Sequence, residues 1–237
     1  MSIDVLLRKY SFNGVASKID HTLLKPYAIS EDIKKICLES IEYGFYGCCI
    51  SPSYLPLANR FLVGSGVKLI TVVGFPLGSY PTEIKIREIE YYLKWDIDEV
   101  DIVMNIGLLK EKKYQELKNE LVTLVDFSHL HGLIVKIIIE TSYLSDEEIA
   151  LVSRLVRDSK ADFIKTNTGF GPRGVNFRDV YLIKKSIGND IKIKAAGGIR
   201  GILETLTYLE MGVDRIGTSS SIRIMKEYDL FKDYYLD

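Results

Sequence analysis

Eight short runs rich in β-branched and other apolar residues recur along the 237-residue chain, each followed by a stretch of helical periodicity. They are 18–22 (KIDHT), 46–51 (YGCCIS), 68–75 (KLITVVGF), 99–106 (EVDIVMNI), 133–140 (LIVKIIIE), 162–168 (DFIKTNT), 191–196 (IKIKAA) and 215–219 (RIGTS). Their starts lie roughly 22 to 35 residues apart, which is the length of a strand plus a crossover helix. Parallel neighbours can be joined only by such crossovers, so this spacing predicts an all-parallel sheet. Eight units without a composition break or a Pro/Gly/Ser linker predict one α/β domain over residues 1–237. The expected architecture is a single (β/α)8 TIM barrel with a short N-terminal helix. The competing architecture, a doubly wound open sheet, would need a phosphate-binding GxGxxG after an early strand, and the first two strand-to-helix turns contain none.

Start and stop signals support the helices. Ser30-Glu31-Asp32 precedes Ile33, Ile36, Cys37 and Ile41, and Ser145 with Glu148 forms a capping-box pattern ahead of Ile149, Val152 and Val156. Helical stretches end on Gly44, Gly188 and Gly212.

Composition excludes several classes of function. With 31 basic against 32 acidic residues, the formal charge of -1 offers no electrostatic footprint for nucleic acid or an anionic membrane. Cys37, Cys48 and Cys49 are odd in number and clustered, which gives neither a disulfide framework nor CxxC metal spacing. The first residues, MSIDVLLRKYSFNG, carry Asp4, Arg8 and Lys9 and lack a long apolar core, and no stretch approaches the ~20 apolar residues that span a bilayer. The expectation is a cytoplasmic protein.

In a barrel of this kind chemistry sits at the C-terminal ends of the strands. The polar residues near the ends of apolar runs are Asp20, Asp101, Asn105, Lys165 and Lys194. Strand alternation puts Phe163, Lys165 and Asn167 on one face and Ile164 and Thr166 on the other. A strand lysine often snorkels along a sheet edge, and Lys136 in LIVKIIIE and Lys192 are read that way. Lys165 and Lys194 differ, because each lies within three residues of a glycine-bearing loop and their strands are neighbours. Two cations buried side by side are costly, and what they provide is an amine of lowered pKa able to attack a carbonyl. Spacing alone leaves open which lysine is the nucleophile. Asp101 is placed to shuttle protons beside them, or to serve only as an ion-pair partner. Asp20 could act with them or cap the turn before Leu23.

Glycines in the last three strand-to-helix loops point to the substrate. Gly169 and Gly171 follow the sixth strand, Gly197 and Gly198 the seventh, and Gly217 leads through Thr218 to Ser219 and Ser220 at the start of a helix. Such loops expose backbone N–H groups to an anion, which predicts a phosphorylated small molecule. Thr22, after Asp20, is grouped with these residues as substrate-facing.

The stretches IDHTLLKP (19–26), GCCISPSYLPLA (47–58), VVGFPLGSYPTEIKIREIE (72–90), EVDIVMNIG (99–107), FIKTNTGFGPRGV (163–175), IKAAGGIR (193–200) and RIGTSSSIRI (215–224) resemble the deoxyribose-phosphate aldolase family, in order and across residues 15–224. The resemblance implies a class I aldolase that reversibly cleaves 2-deoxy-D-ribose 5-phosphate to D-glyceraldehyde 3-phosphate and acetaldehyde, without metal or organic cofactor. It implies that Lys165 forms the Schiff base, that Lys194 is the neighbouring acid/base and that Asp101 is the other proton donor or acceptor. A homo-oligomer, dimer or tetramer, is expected. Two departures from the family pattern are Asn167, where Ser is common, and Arg173 in GPRG, which could reach a substrate phosphate or sit in solvent. Cys49 matches a family cysteine and is read as a buried apolar side chain.

Three other readings remain at this point. A different Schiff-base aldolase or a transaldolase-like barrel would share Lys165 and the phosphate loops but not IDHTLLKP. A metal-dependent aldolase is disfavoured, since the histidines are only His21, His129 and His131 and the last two share a helix end. A catalytically idle barrel would be expected to have lost Lys165, Lys194 or Asp101.

Overall fold

The computed structural model describes residues 2–236. Two short helices, α1 (Ile3–Lys9) and α2 (Phe12–Ala16), precede the first strand, β1 (Ile19–Leu23). The chain continues through α3 (Ser30–Glu42), β2 (Gly47–Ile50), α4 (Leu55–Leu62), β3 (Lys68–Val73), α5 (Thr82–Tyr92) and β4 (Glu99–Val103). After α6 (Ile106–Lys110) and α7 (Tyr114–Leu130) come β5 (Ile134–Ile138), α8 (Asp146–Asp158), β6 (Phe163–Lys165) and α9 (Phe177–Ile187). The last elements are β7 (Lys192–Ala196), α10 (Ile202–Glu210), β8 (Arg215–Thr218) and α11 (Ser221–Leu236). The strands pair in sequence order, all parallel, and β8 closes on β1 with Asp20 opposite Gly217. Closure rules out the open doubly wound sheet, because neither β1 nor β8 has a free edge.

Eight strands lie where the sequence period puts them, but several stop early for identifiable reasons. β3 ends at Val73 because Gly74 turns into the left-handed region at φ 61°. β4 ends at Val103 because Asn105 caps α6, its side chain accepting from the Leu108 N–H at 3.3 Å. β6 ends at Lys165, and the Thr166 hydroxyl replaces a ladder bond by donating to Ala196 O at 2.9 Å and accepting from its N–H at 3.0 Å. At the N-terminus, α1 and α2 are tied to α11: the Tyr228 hydroxyl donates to Tyr10 O at 2.9 Å, and Phe12 meets the Tyr228 ring edge-on at 5.7 Å.

The capping box of α8 forms as its pattern implies. Ser145 Oγ accepts from the Glu148 N–H and the Glu148 carboxylate accepts from the Ser145 N–H, so two otherwise unpaired donors are satisfied. At α3 the helix begins at Ser30, and Asp32 accepts from the Ile29 N–H at 3.0 Å.

Alternation along the strands divides the molecule chemically. Outward residues such as Val100, Ile102, Val135, Ile137, Ile164, Ile193 and Ile216 join one extensive apolar core between barrel and helices. The lumen holds a small separate apolar cluster of Cys49, Ile70 and Val72, on β2 and β3. The outer core therefore carries the stability, and most of the lumen is free to hold polar groups. Ile164→Ala, a cavity in that outer core next to Lys165, is expected to lower unfolding free energy by about 2–5 kcal/mol in urea titration.

Candidate active site

β6 and β7 pair with Lys165 opposite Lys194, so two ammonium-bearing stems rise side by side into the lumen. Both Nζ atoms donate to the same acceptor, Asp101 Oδ2, at 2.8 Å from Lys165 and 2.7 Å from Lys194. Asp101 Oδ1 accepts from Lys136 at 2.9 Å. Lys194 Nζ lies 2.5 Å from Asp20 Oδ2, and Asp20 Oδ1 accepts from Arg215 at 2.8 Å. Lys136 pairs in addition with Glu99, which lies 3.6 Å from Arg215. All seven side chains are buried.

Four cationic groups thus face three carboxylates, one positive charge in excess. Holding that excess away from water is costly, and the least costly relief is loss of one proton. Lys165 is the lysine of the network whose pKa moves in that direction. Burial pulls its pKa below the usual lysine range, with Lys194 acting in the same direction, while the Asp101 charge opposes them. Lys194 moves the other way: burial would lower it, but the Asp101 and Asp20 charges outweigh burial and hold it protonated. Lys136 is likewise raised, against its burial, chiefly by Asp101. Burial would raise the Asp101 carboxyl, yet Lys136, Lys165 and Lys194 together keep it well below the ordinary carboxylate range. The Asp20 carboxyl is lowered too, against burial, mainly by Lys194.

Above this network opens a cavity of about 370 Å³. Of the three lumen lysines, only Lys165 borders it. Asp101, Asp20 and Lys194 lie behind it. The cavity wall contains Thr22 from β1, Gly169 after β6, Gly197 and Gly198 after β7, and Gly217, Ser219 and Ser220 around the end of β8. Those seven residues, expected from the sequence to face the substrate, therefore share one opening, whereas Gly171 does not line it and packs against Ser142 and Glu140. Gly197 and Gly198 take φ values of 97° and 83°, a region that side chains disfavour, and so the loop after β7 presents bare backbone. Ser219 and Ser220 immediately precede the N-terminus of α11, where unpaired N–H groups and the helix dipole favour an anion. Gly217 also has a steric role: a Cβ there would stand 2.9 Å from Lys194 Cε, so the lysine stem needs its absence.

Residues 15–217 match the model of the DeoC/LacD family aldolases. The chain belongs to that family. It is 46% identical over 214 residues to the deoxyribose-phosphate aldolase of Thermococcus kodakarensis, covering 90% of this chain and 96% of the relative. To the same enzyme of Dictyoglomus turgidum it is 45% identical over 211 residues, covering 89% and 95%. The deoxyribose phosphate aldolase from Aeropyrum pernix, whose structure is described as a unique tetramer, superposes with a TM-score of 0.89 at 30% identity, over 98% of this chain and 99% of that one.

Within this DeoC/LacD barrel, several side chains sit otherwise than their sequence context implies. Lys136 does not snorkel at a sheet edge; it is fully buried and holds Asp101 and Glu99 together. Asp20 does not cap a turn but pairs with Lys194 and Arg215. Arg173 does not line the cavity; its partly exposed side chain donates to both Asp179 oxygens, at 2.6 and 3.0 Å, and to Thr141 O at 2.9 Å. Asn167 is buried away from the cavity, donating to Glu140 and accepting from Thr141. Cys49 is buried as expected, in the lumen, and burial pushes its thiol up to about 11. His129 pairs with Asp162 at the far end of α7, and His21 with Glu39. Among the described residues no three His, Cys, Asp or Glu side chains converge as a metal site.

Sequence reasoning missed Glu99, Arg215, Lys25 and Arg200, the last two on the cavity wall. Period-two alternation was the available signal for the first two, since Glu99 shares the face of Asp101 and Arg215 that of Gly217. Lys136→Met would take the nearest cation from Glu99 and one of three from Asp101, and breaking a buried ion pair by removing one partner costs about 3–5 kcal/mol. The depressed Asp101 carboxyl contributes stability that is present above its unfolded pKa and lost as pH falls through the folded one. The deficit of Lys136→Met is therefore expected in full at pH 7 and to shrink below about pH 4, as measured by urea unfolding at both pH values.

Proposed function

We propose that this chain is a class I deoxyribose-phosphate aldolase, reversibly cleaving 2-deoxy-D-ribose 5-phosphate to D-glyceraldehyde 3-phosphate and acetaldehyde, with Lys165 as the Schiff-base lysine. The observation that carries the reading is Lys165 itself. It is the one lumen lysine that borders the cavity, and its pKa is lowered while its two neighbours are raised.

The chemistry follows from those charges. Neutral Lys165 Nζ attacks C1 of the open-chain sugar, and loss of water leaves a protonated imine. The C3 hydroxyl gives up its proton, the C2–C3 bond breaks, and its electron pair flows into the imine, leaving an enamine and releasing glyceraldehyde 3-phosphate. Proton delivery to C2 regenerates an imine, which water hydrolyses to acetaldehyde and free Lys165. The imine nitrogen is the electron sink, so no step calls on a metal. Asp101 Oδ2, shared by Lys165 and Lys194, is the acceptor through which protons pass to and from the reacting centre. Lys194 remains cationic, keeps Lys165 deprotonated and feeds protons through that shared oxygen. Asp20 orients Lys194 from behind.

The phosphate is assigned to Gly197, Gly198, Ser219 and Ser220, with Gly169, Gly217 and Thr22 shaping the wall. Residues 1–237 are read as one domain, consistent with the packing of α1 and α2 on α11. A homo-oligomer fits the reading, as does the cytoplasm, where three buried free thiols persist.

Borohydride reduction in the presence of deoxyribose 5-phosphate is expected to add mass to Lys165 alone, and Lys165→Met to abolish cleavage while the protein remains folded. An adduct mapped to Lys194 or Lys136 would overturn the assignment. Gly198→Asp places an anion beside the substrate phosphate, so KM for deoxyribose 5-phosphate should rise about tenfold or more, with far less effect on unphosphorylated deoxyribose. Lys194→Met removes the like charge that depresses Lys165 and leaves Asp101 closer to a one-to-one pair with it. The Lys165 pKa then rises, so kcat falls with both substrates and the pH dependence of imine trapping moves upward.

A further inference from the structure

The stretch VVGFPLGSYPTEIKIREIE contributes no group to the reaction as derived above, yet it carries a lysine with no exposed surface at all. Lys85, on α5, is fully buried outside the barrel, and its Nζ donates to Val103 O at 2.8 Å and to Glu120 Oε1 of α7 at 3.0 Å. The same Glu120 oxygen accepts from the Asn105 N–H at 2.8 Å. One turn along α5 from Lys85, Glu88 accepts from the Gly74 N–H at 2.6 Å.

These bonds fall where the ladder between β3 and β4 stops, while β4 stays paired with β5 through Val103. Pairing of β3 with β4 ends at Val73 opposite Ile102, one residue short of Val103. The Val103 carbonyl is then met by the ammonium group, and the amides of Asn105 and Gly74 by two carboxylates. The backbone is cut to fit this arrangement, since a Cβ on Gly74 would stand 2.9 Å from Lys85 Cε and one on Gly78 2.0 Å from Met104 O. The loop after β3 therefore presses on the end of β4 while Lys85 and Glu120 grip it through Val103 and Asn105. Two residues before Val103 is Asp101, whose carboxylate must reach three lysines at once.

We propose that the Lys85–Glu120 ion pair is a positioning element of the reaction, fixing the C-terminal end of β4 so that Asp101 stays in register with Lys165 and Lys194. This rests on the aldolase reading. A pair kept for stability alone would be replaceable by a neutral pair of similar volume. A pair kept for position would not, because the neutral methionine has no donor for Val103 O, and sub-ångström displacements at a reacting centre are expensive in rate.

The test compares the unmodified chain with the double variant Lys85→Met/Glu120→Gln, which avoids leaving either charge unpaired. The variant is expected to melt within a few degrees of the parent, to lose about ten- to a hundredfold in kcat and to keep KM for deoxyribose 5-phosphate within about threefold. Amide hydrogen exchange, which needs no turnover, should quicken at Asn105 and remain parental on β7. Parental kcat in the double variant would overturn the proposal, as would a rise in KM matching the fall in kcat. Failure of the double variant to fold would assign the pair to stability and overturn it equally. A parent without deoxyribose 5-phosphate cleavage would instead sink the aldolase reading, and the exchange data would still report whether the pair holds the strand end.

Discussion

One carboxylate organises the lumen. Asp101 accepts from Lys136 on one oxygen and from both Lys165 and Lys194 on the other. Three ammonium groups cannot be buried on one carboxylate without further compensation, which Asp20 and Glu99 supply from β1 and the start of β4. Those two in turn hold Arg215, whose guanidinium carbon rests 3.2 Å from the centre of the Tyr46 ring. The network is closed at its base and open only at Lys165. Of the four cations, Lys165 is the one with a single acidic partner and a face on the cavity, and its pKa is the one lowered, chiefly by burial.

Such a polar interior is affordable because the apolar core lies elsewhere. The residues that alternate with Asp101, Lys165 and Lys194 point outward and pack under the helices, so each of these strands carries chemistry on one face and stability on the other. A substitution at Ile164 and one at Lys165 are adjacent in sequence and act on different properties of the molecule. The same division explains how three lysines and an arginine can face the barrel axis: the apolar lumen cluster of Cys49, Ile70 and Val72 lies on β2 and β3, away from the strands that carry them.

How far the sequence disclosed all this follows from the kind of signal each feature leaves. The eightfold period and the glycine loops are local patterns, and closure of the barrel with the cavity beneath Gly197, Gly198 and Gly217 follows them closely. Lys165 and Lys194 were legible because each adjoins a glycine loop on neighbouring strands. Lys136 was not, because a lysine flanked by Val135 and Ile137 looks the same in sequence whether its head escapes to water or is held by two carboxylates from another strand. The direction of Arg173 was illegible for a related reason: its partner Asp179 is nearby in sequence, but the guanidinium is held as well by Thr141, over thirty residues away. Lys85 left no trace beyond the motif that contains it, since its meaning depends on where the β3–β4 ladder happens to end.

The lumen is also unequal from side to side, and the inequality suits the reaction. The strands β4 to β8 and β1 bring the charges, whereas β2 and β3 bring Cys49, Ile70 and Val72, joined toward the mouth by Leu24 and Phe75. Phe75 meets Phe170, on the cavity wall, edge-on at 5.4 Å, so the apolar side continues up to the opening. Opposite it lie the bare glycine backbone after β7 and the start of α11. A substrate with phosphate at one end and a two-carbon aldehyde unit at the other has the same asymmetry. In the proposed reaction, with the anion at the glycine loops and C1 on Lys165, the carbon that becomes nucleophilic in the enamine would lie on the apolar side and proton traffic on the Asp101 side. On that reading, the separation of polar and apolar walls would let one small cavity hold a reactive enamine and still deliver protons to it.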